Sequence, residues 1–201
     1  MLETFSTLLS FALITSFTPG PNNISSSIMG INYGYKRTLP YLLGIVLGVL
    51  LLLILSSLFS TLLLTFLGSF KSYLGILGAI YILYLSVQTL KVNYELKTEN
   101  KILFDFKKGI YLQFFNPKAI LYCLAIYSTI LKDMPKEPVY FLTTYILLTT
   151  ICFLAISTWT LAGSILNQHL NKKPVKRVVN LTLALLLALT ALQVADLQAF
   201  F

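Results

Sequence analysis

Two proline-containing stretches of the sequence hold the residues that could bind a small polar solute. The first is Thr18-Pro19-Gly20-Pro21-Asn22-Asn23, and the second is Gln113-Phe114-Phe115-Asn116-Pro117-Lys118. A proline removes a backbone donor and crowds the carbonyl four residues before it, so each stretch should interrupt a helix. Inside a membrane, the backbone groups freed by such a break need partners that lipid cannot supply. Each stretch is therefore a candidate binding site if its neighbouring segments cross a bilayer.

In the first stretch, a helix that begins near Pro21 would point its first amide groups at the break, beside Asn22 and Asn23. Amide groups at a helix N-terminus favour an anion such as a carboxylate. We therefore predict that the whole stretch from Thr18 to Asn23 binds substrate. The alternative is that Pro-Gly-Pro only shapes the helix while the asparagines cap it.

In the second stretch, Asn116 is a favoured helix N-cap and Pro117 suits the first helical position, so a helix should resume there. Lys118 then lies in the first turn, where the helix macrodipole disfavours a cation. A lysine in an apolar segment is costly, which suggests that Lys118 meets an anionic substrate group or takes part in coupling. Alternatively, it reaches the membrane surface or pairs with a backbone carbonyl. The predicted binding residues of this stretch are Gln113, Asn116, Pro117 and Lys118.

The composition indicates an integral membrane protein. Hydrophobic residues make up 57% of the 201 positions and charged residues only 11%, whereas soluble domains are about a quarter charged. Residues 38–70, 139–168 and 178–195 contain no charge, and each stretch is close to or longer than the ~20 residues of a spanning helix. The net charge of +8 lies in the loops between such stretches. It therefore implies a lipid bilayer as partner and no nucleic acid.

The sequence predicts an all-α fold with six transmembrane helices, at residues 3–35, 38–67, 72–90, 109–131, 139–168 and 177–198. The prolines break the first and the fourth, so each half of the chain has one broken segment and two continuous ones. Three spans is an odd number, so the halves must be inverted relative to each other, an arrangement typical of transporters with a mid-membrane site. We predict one transmembrane domain (1–201) with two three-helix halves (1–90 and 109–201) and a basic cytoplasmic linker (91–108).

The distribution of basic residues predicts the orientation. Eleven of the 15 lysines and arginines fall in the first, third and fifth loops, and three fall in the second and fourth. Cytoplasmic loops carry the excess of basic residues. The odd-numbered loops are therefore predicted to be cytoplasmic, which places both termini outside.

The spans lack the residues that other functions would need. No Asp or Glu lies deep within any segment, and the nearest, Asp196, is at the outer end of the sixth. The single histidine, His169, is in a loop, and Cys123 and Cys152 have no metal-ligand spacing. We therefore predict no metal site, no cofactor and no enzymatic activity. A strongly cationic solute is also disfavoured, because no buried carboxylate is available to meet it.

Small and aromatic residues recur within the segments. Glycines at helical spacing (Gly30 and Gly34, Gly44 and Gly48, Gly75 and Gly78) favour close helix packing, or alternatively a hinge for alternating access. Several aromatic residues could line a cavity or anchor the chain at the membrane surface. They are Tyr81, Tyr84, Tyr111, Phe114, Phe115, Tyr122 and Tyr127.

The two broken motifs together resemble the LysE/RhtB family of bacterial amino-acid exporters. The resemblance rests on Thr18-Pro19-Gly20-Pro21-Asn22, on the glycines that follow, and on Gln113-Phe114-Phe115-Asn116-Pro117-Lys118-Ala119. It implies a secondary transporter of the cytoplasmic membrane that exports amino acids or related metabolites, driven by the proton-motive force. It is also compatible with a homodimer.

The chain departs from the family at two places. Many members carry an aspartate where this chain has Asn22, and exporters of basic amino acids tend to carry acidic residues in the second and fourth spans. Neither acid is present here, so the resemblance favours a neutral amino acid. Two rival functions stay open at this stage. One is a membrane thiol-disulfide electron carrier of related fold, and the other is a membrane scaffold that transports nothing.

Overall fold

The computed structural model describes residues 2–90, 105–131, 135, 137–167 and 173–196. The described residues form six α-helices: α1 (Leu2–Phe17), α2 (Pro21–Leu90), α3 (Phe106–Phe114), α4 (Pro117–Ala125), α5 (Pro138–Asn167) and α6 (Lys173–Asp196). A π-helical turn, Ile126–Ile130, continues α4. The described residues contain no strand, so the predicted all-α class is confirmed for them. His169 and the loop lysines Lys91, Lys97 and Lys101 lie outside the described residues.

Both predicted helix breaks are present. The first separates α1, which ends at Phe17, from α2, which begins at Pro21. The second separates α3 from α4, which begins at Pro117 as predicted. Asn116 caps α4, because its side-chain oxygen accepts a hydrogen bond from the backbone amide of Ala119.

The 70-residue helix α2 is not straight, although it was predicted as three separate segments. Tyr41 Oη donates a hydrogen bond to Ser25 Oγ at 2.8 Å, yet 16 residues would span about 24 Å along a straight helix. Between them, Gly34 has a φ of +72°, a conformation that side chains other than glycine rarely adopt. The chain therefore reverses at Gly34, next to the exposed Lys36 and Arg37. The first predicted loop is thus a turn within the helical run and not a non-helical loop.

A second reversal must lie farther along α2. Ser86 Oγ donates to the Ala184 carbonyl at 2.8 Å, while Ile24 packs against the neighbouring Leu183 and Leu187 of α6. Residues 35–86 would cover about 75 Å if they were straight, far more than the length of α6. The chain must therefore turn back before it reaches Ser86, within a run that is helical from Pro21 to Leu90.

The surface of the helices suits a membrane. By length and composition alone, Pro21–Leu58 and Pro138–Leu166 are apolar enough to cross a bilayer, and the first of these stretches contains the turn at Gly34. Along α5, one face is buried and the opposite face exposes large apolar side chains at helical spacing, namely Leu142, Ile146, Leu154, Leu161 and Ile165. A continuous exposed apolar face marks contact with lipid or with another protein.

Glycines set the distance between the helices. A Cβ on Gly30 would overlap the carbonyl oxygen of Thr160, and one on Gly163 would overlap that of Ser27. The α2–α3 contact is built in the same way, because a Cβ on Gly44 would overlap the Phe106 carbonyl oxygen. Close packing is therefore the role of Gly30 and Gly44, as one of the two interpretations predicted.

The bundle has two distinct ends. Gly34 lies near Ser164, so the turn at Gly34 and the end of α5 share one end, and α3 begins beside Gly44, about 15 Å farther along α2. The exposed Lys36 and Arg37 lie at the turn, and we call this the basic end. The opposite end holds the starts of α1 and α5 and the residues after the π turn. Which end faces the cytoplasm stays a prediction.

We expect Gly34→Ala to lower the free energy of unfolding by about 1–2 kcal/mol. The reason is conformational, because a Cβ at Gly34 meets only Ser164 Oγ at 3.8 Å, whereas its positive φ disfavours a side chain. Gly34→Asn should cost less, since Asn tolerates this conformation better than Ala. Thermal unfolding of the purified variants in detergent measures both, and equal losses for Ala and Asn would contradict the reversal at Gly34.

Candidate functional site

The two breaks meet through three side-chain amides. Asn22 Nδ2 donates to Gln113 Oε1 at 2.9 Å, and Gln113 Nε2 donates back to Asn22 Oδ1 at 3.1 Å. Asn116 Nδ2 donates to the same Asn22 oxygen at 2.9 Å. Gln113 and Asn116 are almost fully buried, with 0% and 2% of their surface exposed. We call this group the amide bridge; it joins α2 to both α3 and the start of α4.

Backbone features hold the amide bridge in place. Gln113 Nε2 also donates to the Gly109 carbonyl at 3.2 Å, one helical turn back. A Cβ on Gly48 would lie 2.5 Å from Gln113 Cγ, so the glycine provides the room for that side chain. Asn116 is fixed by its capping bond to Ala119 at 3.4 Å. The bridge is therefore preorganised by three different elements.

Lys118 spans from the second break to the first. Its Nζ donates to the Thr18 carbonyl at 2.9 Å and to the Pro19 carbonyl at 3.3 Å. A Cβ on Gly20 would lie 3.0 Å from Lys118 Cδ, so glycine at this position leaves room for the lysine chain. Of the alternatives set out for Lys118, pairing with backbone carbonyls is the arrangement observed. Its contact with a substrate anion stays a prediction.

Asn23 closes the other side of the first break. Its Nδ2 donates to the carbonyls of Ser16 and Thr18, at 2.7 and 2.9 Å. Ser16 lies in the last turn of α1 and Thr18 directly follows the helix, so both carbonyls lack helical partners. Neither Asn22 nor Asn23 caps α2, so the capping interpretation of these residues is wrong. Both side chains instead bond to other segments.

A cavity of about 50 Å³ lies between the breaks. Six predicted residues line it, namely Gly20, Pro21, Asn22, Asn23, Asn116 and Lys118. Four predicted residues are not on its wall: Thr18 and Pro19 contribute carbonyls to Lys118, Gln113 lies behind Asn22, and Pro117 starts α4. We call this space the site cavity.

Seven other residues complete the wall of the site cavity, and the sequence did not single out most of them as binding residues. They are Thr15, Ser16, Val49, Ala119, Tyr122, Cys152 and Ile156. Only Tyr122 was among the aromatic candidates. Val49, Cys152 and Ile156 lie in long apolar runs, in which the sequence gives no pattern to separate wall residues from packing residues.

The chemistry available at the site is hydrogen bonding with one cation. No group of three His, Cys, Asp or Glu side chains that could hold a metal occurs in the described part of the chain. Cys123 and Cys152 are both free and buried, and of the two only Cys152 reaches the cavity wall. Ligand pockets usually measure 300–1,000 Å³, so this cavity must widen before a whole amino acid can occupy it.

Helical breaks that meet at a buried polar cavity, in a bundle with an apolar surface, are features of a membrane transport protein. The family model described as LysE type translocator matches residues 13–197 of this chain. The chain therefore belongs to the LysE type translocator family, and the resemblance drawn from its two motifs is confirmed. The family is one of transporters and not of enzymes, in agreement with the prediction.

Several curated relatives share most of their length with this chain. A cysteine/O-acetylserine efflux protein of Klebsiella pneumoniae is 32% identical over 163 residues, which cover 81% of this chain and 83% of the relative. Proteins of the same description from Salmonella typhimurium and Escherichia coli K12 are 29% and 28% identical, each over 92% of this chain and 93% of the relative. No solved structure matches the chain. These similarities support an exporter of amino acids or related metabolites.

We expect Asn22→Ala to lower the free energy of unfolding by about 1–3 kcal/mol, because it leaves polar groups of the buried Gln113 and Asn116 without partners. Export should fall about tenfold or more, since the two breaks are no longer joined. Asn32→Ala is a matched control, because among the described residues the Asn32 amide bonds to the Ile28 carbonyl of its own helix and to no other segment. Equal effects of the two substitutions on thermal unfolding and on efflux from loaded vesicles would contradict the amide bridge.

Proposed function

We propose that this protein exports small neutral amino acids by alternating access, driven by the proton-motive force. The observation that carries the proposal is the contact between the Lys118 ammonium and the carbonyls of Thr18 and Pro19, on a cavity whose other polar groups are uncharged. Cysteine and O-acetylserine are the first candidate substrates, because the relatives described above are named as cysteine/O-acetylserine efflux proteins.

A zwitterion matches the groups around Lys118. Its carboxylate can accept hydrogen bonds from the Lys118 ammonium and from the first amides of α2, which lack helical partners. As Lys118 turns to the carboxylate, it leaves the carbonyls of Thr18 and Pro19, and the substrate ammonium can take its place there. Substrate binding thus exchanges one ammonium for another at the first break, so that no buried polar group loses its partner.

The absence of acidic residues favours neutral over basic substrates. Residues 4–90, 106–131 and 138–195 contain no Asp or Glu, so no carboxylate within these segments is available for a second positive charge. A lysine or arginine side chain would therefore enter the protein without an anionic partner. Burying an unpaired charge costs several kcal/mol, which disfavours these substrates.

Alternating access would arise from motion of one half against the other. The first broken pair, α1 with the start of α2, runs toward the basic end, and the second pair, α3 with α4, runs away from it. Opposed directions agree with inverted halves 1–90 and 109–201 joined by the linker 91–108. We propose that the amide bridge holds the halves together when the cavity is small and separates when substrate enters. The basic end would then be cytoplasmic and both termini outside.

The rival function of a thiol-disulfide electron carrier has less support than the exporter. Such a carrier needs two thiols that a partner can reach, whereas Cys123 has no exposed surface and Cys152 has 8%. A Cys123→Ala, Cys152→Ala double variant that keeps its export rate would exclude this rival. A scaffold without transport predicts no solute exchange at all.

The proposal is tested with the purified protein in liposomes loaded with unlabelled amino acid. Labelled cysteine or O-acetylserine should exchange into the vesicles much faster than labelled lysine or arginine, and an imposed pH gradient should drive net movement that a protonophore abolishes. Exchange of lysine as fast as cysteine would overturn the neutral specificity. Net movement that ignores the pH gradient would overturn proton coupling.

A further inference from the structure

A second, larger cavity lies at the end of the bundle opposite the basic end. Its volume is about 570 Å³, and its described walls come from three elements. α1 contributes Thr4 and Leu8, the chain after the π turn contributes Leu131, and α5 contributes Tyr140 and Leu147. We call it the end cavity. It is large enough for a whole amino acid, unlike the site cavity.

The two cavities share the helices α1 and α5. α1 lines the site cavity with Ser16 and the end cavity with Leu8, and α5 lines them with Cys152 and Leu147. Eight residues of α1 and five of α5 separate these positions, which correspond to about 8–12 Å along a helix. The line of contact between α1, α5 and α4 with its π turn therefore runs from one cavity to the other, and we call it the seam.

Aromatic rings occupy the seam between the cavities. Phe11 of α1 stacks on Tyr122 of α4, with ring centroids 5.7 Å apart. Tyr127 of the π turn stacks on Phe141 and meets Tyr145 edge-on, at 6.3 and 6.4 Å. Phe11, Tyr122 and Tyr127 lie along the seam, whereas Phe141 and Tyr145 belong to the part of α5 that lines the end cavity.

Two hydroxyl groups in this aromatic layer make no hydrogen bond of ordinary geometry to the described residues, although the Ser16 side chain lies close to the first and the Tyr145 hydroxyl close to the second. They belong to Tyr122 and Tyr127, which have only 8% and 5% of their surface exposed. Buried hydroxyls almost always have a partner, so each unpaired one needs an explanation. The π turn adds a second observation, since such turns are rare and often mark functional sites.

We propose that the seam is the route by which substrate leaves the site cavity, and that the Tyr122 and Tyr127 hydroxyls are hydrogen-bonding positions along it. The proposal rests on the proposed function, and it names the ligand of this route as a small zwitterion. Each hydroxyl is then available to bond to the passing solute. Movement of the π turn and of Phe11 would open the layer, and the end cavity would receive the solute.

Replacing Tyr127 with phenylalanine gives the sharpest test. The variant keeps the ring and its stacking but loses the hydroxyl, so efflux should slow about threefold to tenfold. Equilibrium binding of cysteine should change by less than twofold, because Tyr127 does not line the site cavity. The melting temperature should stay the same or rise, since the lost hydroxyl makes no hydrogen bond of ordinary geometry to the described residues. Tyr111→Phe, at a tyrosine 61% exposed on α3, should change none of the three.

Three results would overturn the role of Tyr127. One is wild-type efflux by Tyr127→Phe. Another is a loss of binding equal to the loss of efflux, which would place the hydroxyl in the binding site. The third is a clear fall in melting temperature, which would show that the hydroxyl has a structural partner. Tyr122→Phe should slow efflux as well, but it should also weaken binding because Tyr122 lines the site cavity.

Thiol labelling tests the route without any assumption about the substrate. Leu147→Cys places a thiol on the wall of the end cavity, and Ile146→Cys places one on the exposed apolar face next to it. A charged, membrane-impermeant methanethiosulfonate reagent, added on both sides of proteoliposomes, should label Leu147→Cys at least tenfold faster than Ile146→Cys. The wild-type protein gives the background from its native cysteines.

Equal labelling of the two variants would show that water does not reach the end cavity preferentially, and it would overturn the proposed exit route. If the reconstituted protein exchanges no amino acid while Leu147→Cys still reacts selectively, the proposed function fails and the aqueous path stands. If exchange is normal while the labelling contrast and the Tyr127→Phe effects are absent, the route fails and the proposed function stands.

Discussion

Replacing Lys118 with methionine is expected to lower export at least about 30-fold. Methionine keeps a chain of similar length but removes the ammonium that donates to the carbonyls of Thr18 and Pro19. The substrate carboxylate then loses the one cationic side chain that the described residues place on the site cavity, and removal of one partner from a buried charge pair costs about 2–5 kcal/mol. Initial rates of efflux from loaded vesicles, at matched amounts of inserted protein, give the ratio.

Two further variants separate the charge of Lys118 from its packing. Lys118→Arg keeps the charge, but its bulkier head group must fit beside Gly20, so partial activity is expected. Lys107→Met removes a lysine that is exposed at the start of α3 and should export at the wild-type rate. Export by Lys118→Met within threefold of the wild type would remove Lys118 from substrate binding.

Gly30→Ala is expected to have the largest effect on stability, a loss of about 3 kcal/mol or more. The added Cβ would overlap the backbone of Thr160, and a backbone oxygen cannot rotate away as a side chain can. Overpacking commonly costs about 1–3 kcal/mol of stability. We expect a loss at the upper end of this range or beyond it, because α2 and α5 must move apart to make room for the Cβ. Gly163→Ala should behave alike, since its Cβ would overlap the Ser27 carbonyl of the same interface. Thermal unfolding in detergent measures both losses.

Gly20→Ala serves as the comparison for these stability measurements. Its Cβ would lie 3.0 Å from Lys118 Cδ, which belongs to a flexible side chain, so the expected loss is below about 1 kcal/mol. A melting temperature for Gly30→Ala equal to that of Gly20→Ala would show that α2 and α5 are not in backbone contact.

The helix breaks could be predicted from the sequence because their causes are local. Proline removes a donor at its own position, and Asn116 before Pro117 is a cap whose preference depends on neighbouring residues only. The cap and the start of α4 were therefore correct in detail. At Asn22 and Asn23 capping was only the alternative to substrate binding, and the structure does not show it: their partners lie on other segments, and local preference carries no information about a distant carbonyl or amide.

The sequence predicted the turns within α2 and the residues of the cavity wall less well. The charges at Lys36 and Arg37 predicted a loop, whereas Gly34 allows a reversal so tight that helical structure continues on both sides of it. Val49 and Cys152 reach the site cavity only because the breaks bring four elements together at one depth. An apolar run contains no periodic pattern that distinguishes a residue facing lipid from one facing a buried cavity.

Counterflow of cysteine against two of its analogues tests the two-break site most directly. Cysteine methyl ester lacks the carboxylate that Lys118 should bind, and 3-mercaptopropionate lacks the ammonium that should replace Lys118 at the carbonyls of Thr18 and Pro19. With the purified protein in liposomes under reducing conditions, we expect saturable exchange of cysteine. Neither analogue should exchange or compete at the same concentration. Exchange of either analogue at the rate of cysteine would contradict a site that binds both ends of a zwitterion.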